Sequence, residues 1–332
     1  MKIAINGFGR IGRVFFRKVF GEGNIDIVAI NDLGDIENLA YLLRRDSVYG
    51  KYDKSVEVKG GELVVDGQKI KIFQEKDPAR LPWGELSVDV VVESTGVFTT
   101  LEKAKPHLDA GAKRVVITAP AKDDVTPTST PNVGTEFLTA SQITSNASCT
   151  TNATTPVVAV LLNDPGIEKA VLTTVHGYTA SQNLVDGPSK DVVRGRAAAV
   201  NIIPSHTGAA IATEKATPAI KGKFDGIALR VPVVTGSVID FTFIAKRRTS
   251  VEEINDIFRT AAKSDIWQGI LSVSETPLVS TDIIGEPYGS IVDLSFTRVV
   301  DGNLVKILSW YDNEWGYVSM LAKHVESLRD LL

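Results

Sequence analysis

The chain has 332 residues, 43% hydrophobic and 23% charged, with a formal net charge of −4. At roughly 100–200 residues per domain this length suits two domains with real cores, and the slight acidity argues against a dedicated nucleic-acid binder. A single cysteine, Cys149, excludes an intrachain disulfide and a multi-cysteine zinc site, so no metal site is expected and a reducing, cytoplasmic setting is.

The opening MKIAIN has no charged leader followed by an apolar run, so no export signal is expected. No apolar stretch approaches the ~20 residues of a membrane helix. Ile3-Ala4-Ile5 reads as a strand, followed by a glycine turn and a helix over 10–20; further strands are expected over 25–30, 88–92 and 114–118. This alternation is that of a doubly wound parallel sheet. Residues 56–73 alternate around Gly60-Gly61 and Asp66-Gly67 and read as inserted antiparallel hairpins. Residues 121–135, rich in Thr, Ser, Pro and Asp, read as an exposed loop.

A helix is expected from about Cys149 to Leu162, then longer strands over 171–175, 226–234, 238–245, 291–299 and 304–310. Ser250 and Glu253 form a capping box for a helix whose apolar face is Val251, Ile254, Ile257, Phe258 and Ala261. The last helix, 314–332, carries a stripe of Trp315, Val318, Ala322, Val325 and Leu328. The expected architecture is a Rossmann α/β domain over 1–148, completed by 313–332, and an α+β domain with a mostly antiparallel sheet over 149–312.

Gly7-Phe8-Gly9-Arg10-Ile11-Gly12 matches G-x-G-x-x-G between a strand and a helix, where the pattern has a mechanism. Gly7 permits the turn, Gly9 lets backbone approach a pyrophosphate, Gly12 lets helix pack on strand, and the helix N-terminus offers free N–H groups. Asp32, 20 residues past Gly12, can accept from both ribose hydroxyls of NAD and would repel the 2′-phosphate of NADP.

Cys149 lies in a polar run, Ser145 to Asn152, at the start of a helix, a setting that favours a thiolate. A thiol nucleophile needs a base. His107 and His324 sit in amphipathic helical segments and are expected to face solvent. His176 ends a strand, and His206 precedes Thr207-Gly208 in a turn; spacing does not choose between these two.

SNASCTTN at 145–152 resembles the glyceraldehyde-3-phosphate dehydrogenase family. So do NGFGRIGR at 6–13, AIND at 29–32, ESTGVFTT at 93–100, TTVHGYT at 173–179, NIIPSHTGAA at 201–210, RVPV at 230–233 and SWYDNEWGY at 309–317. The resemblance covers essentially the whole chain. It implies that Cys149 attacks an aldehyde, that His176 is the base, and that a thioester forms and is released by inorganic phosphate. It further implies Thr179 and Arg230 for the substrate phosphate; Ser148, Thr207 and Gly208 for the attacking phosphate, with Arg194 beside both and Thr150 in the same set; and Arg10, Ile11, Asp32, Thr95, Gly96, Thr118 and Asn313 at the cofactor. Tyr317 resembles a ring packed on the nicotinamide, although an aromatic there is equally a core residue. The segment 178–201 resembles one that reaches a neighbouring subunit, and the family is homotetrameric.

Three positions depart from the family pattern. Ala153 stands where a second cysteine is common, His206 stands where Ser or Thr is usual, and 126–134 replaces a more apolar stretch. The charge of His206 is expected to make phosphate affinity depend on pH, and 126–134 puts a local strand in doubt. Gly187-Pro188 resembles users of NAD. Erythrose-4-phosphate dehydrogenase, which hydrolyses its thioester, is the nearest rival; a nucleotide- or RNA-binding scaffold is the rival from another class.

Overall fold

β-branched runs between glycine turns build the first sheet. The computed structural model describes all 332 residues, Met1 to Leu332, in two units. Unit 1 comprises Met1–Ser129, Thr135–Ala147 and Leu321–Leu332; unit 2 comprises Thr130–Gly134 and Ser148–Met320. The division therefore runs inside the last helix.

Unit 1 contains β1 (Lys2–Asn6), α1 (Arg10–Val19), β2 (Asp26–Asn31), α2 (Ile36–Arg44), the short pair β3 (Arg45–Asp46) and β4 (Gly50–Lys51), β5 (Val56–Lys59), β6 (Glu62–Val65), β7 (Gln68–Phe73), β8 (Val90–Glu93), α3 (Leu101–Ala104), α4 (Pro106–Asp109), β9 (Arg114–Ile117) and β10 (Ile143–Ser145). The sheet order is β10-β9-β8-β1-β2-β7-β6-β5. It is parallel from β10 to β7, and β5 and β6 add the antiparallel hairpins expected over 56–73. Val90, Val91 and Val92 are all buried, as a strand covered on both faces requires.

Unit 2 contains α5 (Cys149–Asn163), β11 (Ile167–Gly177), β12 (Ile203–His206), α6 (Ala209–Ala216), β13 (Phe224–Val231), β14 (Ser237–Ala245), α7 (Val251–Ala262), β15 (Leu271–Ser274), β16 (Ser290–Val300) and β17 (Leu304–Tyr311), and α8 (Trp315–Ser327) crosses the division. The order is β12-β13-β11-β14-β17-β16-β15. Four of its pairings are antiparallel; β11 with β13 and β15 with β16 are parallel. Burial alternates strictly along β14, so Ile239, Phe241, Phe243 and Ala245 point inward. They pack with Val157, Val158 and Leu161 of α5 and with Ile254 and Phe258 of α7. Ser250 caps α7 by accepting the Glu253 N–H at 3.2 Å, but the Glu253 carboxylate turns to Arg247 and Thr249, so only half of the expected box forms.

Two expectations fail because of contacts distant in sequence, backbone pairing with Ser145 in one case and side-chain partners in the other. The segment 121–135 is not a simple exposed loop: Thr126, Thr128, Ser129 and Thr130 are buried, and Thr128 bridges to Ser145. His107 and His324 are buried too, not solvent-facing. His107 accepts from Trp83 Nε1 at 3.0 Å through Nδ1, which leaves Nε2–H for Glu93 at 3.1 Å. His324 Nδ1 donates to the Ser129 carbonyl at 3.2 Å, and Nε2 lies 3.0 Å from the Thr144 hydroxyl.

Burial holds His324 well below its usual range, down to about 4. The unfolded chain therefore takes up this proton first as pH falls, and the stability tied to His324 is present above about 6.5 and drains away towards 4. From pH 7 to 5 this amounts to about 2 kcal/mol. His324→Gln should be less stable at pH 7 yet lose correspondingly less on acidification, measured by urea unfolding at pH 7, 6 and 5. Parallel slopes for the two proteins would refute the assignment.

Candidate active site

The C-terminal ends of β1, β2 and β8 surround a cavity of ≈460 Å3 lined by Gly7, Gly9, Asp32 and Thr95, with Asn6, Asn31 and Val97 among the other walls. This is where an open α/β sheet binds its ligand. Gly7 takes φ 92°, and a Cβ there would lie 2.6 Å from the Thr95 nitrogen. A Cβ on Gly12 would overlap the Gly7 carbonyl oxygen. A Cβ on Gly9 would meet nothing within 4 Å, so that backbone stays open. Gly9 is the N-cap of α1 with no side-chain cap, and the first turn, which includes Ile11, holds no acid. The Asp32 carboxylate accepts the Phe8 N–H at 2.7 Å and the Gly34 N–H at 2.8 Å, leaving further lone pairs for hydroxyls.

These features fit a dinucleotide: uncapped N–H groups for a pyrophosphate and a fixed carboxylate for a ribose. Gly96, at φ 73°, continues the turn after Thr95. The Thr118 hydroxyl donates to the Glu93 carbonyl at 3.0 Å, and the Arg10 guanidinium pairs with Asp46. Arg10 therefore has its charge engaged away from the glycine turn.

In unit 2, two periodicities bring the reactive groups together. Ala170, Leu172, Thr174 and His176 are the buried, alternate residues of β11. Arg230 of β13 is the register partner of His176. Ser148 N-caps α5 by accepting the Thr151 N–H at 3.1 Å, which sets Cys149 in the first helical turn. Cys149 Sγ lies 3.3 Å from His176 Nε2, and His176 Nδ1 lies 2.7 Å from the Gly177 carbonyl. His176 Nδ1 faces both the Gly177 carbonyl and, at 2.7 Å, the Arg230 guanidinium, and the tautomer in which it donates to the carbonyl presents an Nε2 lone pair to the thiol. His176 is thus the histidine beside Cys149, while His206 is exposed at the end of β12, in a strand instead of the expected turn.

Burial lowers His176 to about 3, with the Arg230 charge acting in the same direction, so the ring is neutral at pH 7. Burial pushes the Cys149 thiol up, while Arg230 and hydrogen bonds from Thr150 pull it back. Arg230 Nη1 lies 2.7 Å from His176 Nδ1 and donates to Gly177 O at 3.0 Å; its Nε is buried without a partner.

Arg194 donates to Ser205 Oγ at 2.8 Å, to Ser181 Oγ at 3.3 Å and to the His206 carbonyl at 3.2 Å, and it pairs with Asp191 at 3.3 Å. Ser181 Oγ is also 2.9 Å from Thr179 Oγ1, so it joins two expected anion-binding residues and was not singled out by sequence. Thr207 Oγ1 accepts the Ala209 N–H at 3.2 Å, and Gly208 stands unobstructed before α6.

The Thr150 side chain is buried, its hydroxyl 2.9 Å from Tyr311 Oη and hydrogen-bonded towards Cys149. Asn313 is buried, with Oδ1 accepting from Ser237 Oγ at 2.8 Å and Thr235 Oγ1 at 3.2 Å. Its amide group is therefore held in one orientation. Tyr317 is buried on α8, where the burial runs from Gly316 to Ala322 without the polar face that the predicted stripe implies.

Comparison with known proteins places this geometry in a family context. Residues 1–101 match the family described as glyceraldehyde 3-phosphate dehydrogenase, NAD binding domain, and residues 148–313 match its C-terminal domain. The glyceraldehyde-3-phosphate dehydrogenase of Mycolicibacterium smegmatis is 50% identical over 331 residues, 97% of this chain and 96% of that protein. That of Mycobacterium avium is 49% identical over 329 residues, with the same coverage. Glyceraldehyde-3-phosphate dehydrogenase 2 of Streptomyces avermitilis is 47% identical over 323 residues, again 97% and 96% of the two chains. No helix of the chain is long and apolar enough to cross a membrane.

Proposed function

Because the chain belongs to the glyceraldehyde-3-phosphate dehydrogenase family, we propose that it oxidises D-glyceraldehyde 3-phosphate, with NAD and inorganic phosphate, to 1,3-bisphosphoglycerate through a thioester on Cys149. The observation that carries this reading is the Cys149–His176 contact at 3.3 Å.

His176 Nε2 takes the thiol proton, the thiolate adds to the aldehyde carbon, and the ring returns that proton to the oxyanion to give a thiohemiacetal. Arg230 holds the thiolate's charge before addition. When bound, NAD supplies the hydride acceptor that turns the thiohemiacetal into a thioester. His176 takes the hydroxyl proton in that oxidation. The thioester keeps the acyl group activated, phosphate oxygen then attacks its carbonyl carbon, and Cys149 leaves as thiolate. Thr179 and Arg230 bind the substrate phosphate; Ser148, Thr207, Gly208 and Arg194 bind the attacking phosphate, since a guanidinium fork and open N–H groups suit its oxygens. Asn313 holds the carboxamide of the nicotinamide through its fixed amide. In this reading the protein works in the cytoplasm as a homotetramer.

The test is NADH formation from the purified protein with D-glyceraldehyde 3-phosphate and NAD, with and without inorganic phosphate. Phosphate-dependent NADH is expected. Turnover indifferent to phosphate would point to thioester hydrolysis, and no turnover would sink the enzyme reading.

NAD over NADP rests on Asp32. Its carboxylate, held by two backbone N–H groups, repels a 2′-phosphate. Asp32→Gly should raise the NADP-to-NAD ratio of kcat/KM by roughly 10-fold or more, because one unfavourable charge contact is worth about 1–2 kcal/mol. An unchanged ratio would refute the ribose assignment.

A further inference from the structure

Cys149 and His176 come from different elements, α5 and β11, and something must fix their separation. Tyr311, on β17, sits two strands from β11 with β14 between. Its register partner on β14 is the small Ser237, which leaves the phenol room to reach over that strand. Two strand spacings are about 10 Å, a distance that a phenol meeting a threonine hydroxyl can span. Tyr311 Oη lies 2.7 Å from Thr174 Oγ1, two residues before His176 on the same face of β11. It also lies 2.9 Å from Thr150 Oγ1, the residue after Cys149. Its ring stands edge-on to the His176 imidazole, centroids 5.9 Å apart at 75°. The phenol is therefore buried beside the two reacting side chains, bonded to a neighbour of each.

We propose that Tyr311 is a positioning residue whose hydroxyl ties the N-terminal turn of α5 to β11 and thereby sets the Cys149–His176 distance. This rests on the reading of that pair as nucleophile and base. The chain of hydroxyls has a second use. Tyr311 donates to one threonine and accepts from the other, and both polarities satisfy it. When Cys149 ionises, the Thr150 O–H can turn to the sulfur while Tyr311 donates to Thr150 and Thr174 donates to Tyr311. No buried hydroxyl is then left without a partner.

Tyr311→Phe keeps the ring and removes both bonds; Thr174→Val cuts the strand end alone and leaves Tyr311 on Thr150. The other groups facing the pair, Arg230 from β13 and Arg194 from the 178–201 segment, stay in both variants. The first measurement is the pH profile of Cys149 alkylation by iodoacetamide on the full-length protein without cofactor or aldehyde. The second is kcat and KM for aldehyde oxidation.

In Tyr311→Phe the alkylation midpoint should rise by about half to one pH unit, the equivalent of one hydrogen bond. The value of kcat should fall roughly 10- to 100-fold, while KM for NAD stays within about twofold. Thr174→Val should shift both in the same direction by less. Alkylation and kcat profiles that superimpose on wild type would overturn the proposal, and Thr174→Val decides if Tyr311→Phe does not fold. A parallel rise in KM for NAD would mark general loosening and overturn it equally. The alkylation arm needs no substrate, so failure of the wild-type protein to oxidise aldehyde would count against the functional reading and leave the tether tested.

Discussion

Cys149→Ser should lower NADH formation by roughly 10^4-fold or more, comparable to removal of a nucleophile elsewhere. Serine occupies nearly the same volume, and its hydroxyl would still reach His176 across a contact that is 3.3 Å for sulfur. Geometry is therefore preserved and chemistry is not. A serine hydroxyl is far less acidic than a thiol, so the nucleophilic anion forms much less readily beside the same ring. The thiol matters again at release, because a thioester is open to phosphate where an ordinary ester is not. Initial rates with saturating aldehyde, NAD and phosphate give the comparison, with thermal unfolding as the control for folding. A variant that folds and keeps more than about 1% of the wild-type rate would require another nucleophile.

Gly12→Ala and Gly9→Ala should separate two roles that one motif combines. At Gly12 the added Cβ would overlap the Gly7 carbonyl oxygen and approach Ile5 Cγ2 at 3.2 Å. Neither neighbour can yield, since Gly7 is itself pinned by its hydrogen bond to Asn31 O at 2.8 Å and Ile5 is in the core. Overpacking of this kind costs about 1–3 kcal/mol, so Gly12→Ala should lose stability and, through displacement of the turn, NAD affinity. At Gly9 the Cβ meets no atom of the protein. Gly9→Ala should therefore unfold close to wild type while binding NAD roughly 30-fold or more weaker, as expected where a methyl stands in the path of a phosphate and costs about 2 kcal/mol. Urea unfolding and NAD titration of both variants check this. Equal effects of the two substitutions on stability would contradict it.

The parts of this molecule that repeat locally were legible in the sequence. Longer β-rich runs located β11, β13, β14, β16 and β17, and glycine positions located the turns after β1 and within 56–73. The strands β10, β12 and β15 were missed because their polar or proline-broken stretches lack the apolar run that marked β8 and β9 at similar length. Residues decided by distant partners were misjudged. A histidine in an amphipathic helix looks solvent-facing until Trp83 and Glu93, or Thr144 and Ser129, turn up beside it. Buried threonines in 126–130 misled in the same way, since Thr and Ser signal loops only while they are exposed. At the site, spacing could not say whether His176 or His206 lies beside Cys149. That choice depends on which strand lies under α5. Ser181 and Tyr311 were missed for the same reason: each matters through two residues far from it in sequence.

The bare start of α1 has a consequence for the life of the protein outside catalysis. The first turn of a helix that opens on Gly9, with no side chain to cap it and no acid beside it, favours an anion. A pyrophosphate there completes the helix, and only the folded chain offers it the place. Cofactor and folding are then linked by mass action: at a free NAD concentration of a hundred times Kd, the unit gains about 2.7 kcal/mol. Starved of dinucleotide, the same chain would open more often and meet proteases sooner, so its turnover would follow the supply of the molecule it reduces.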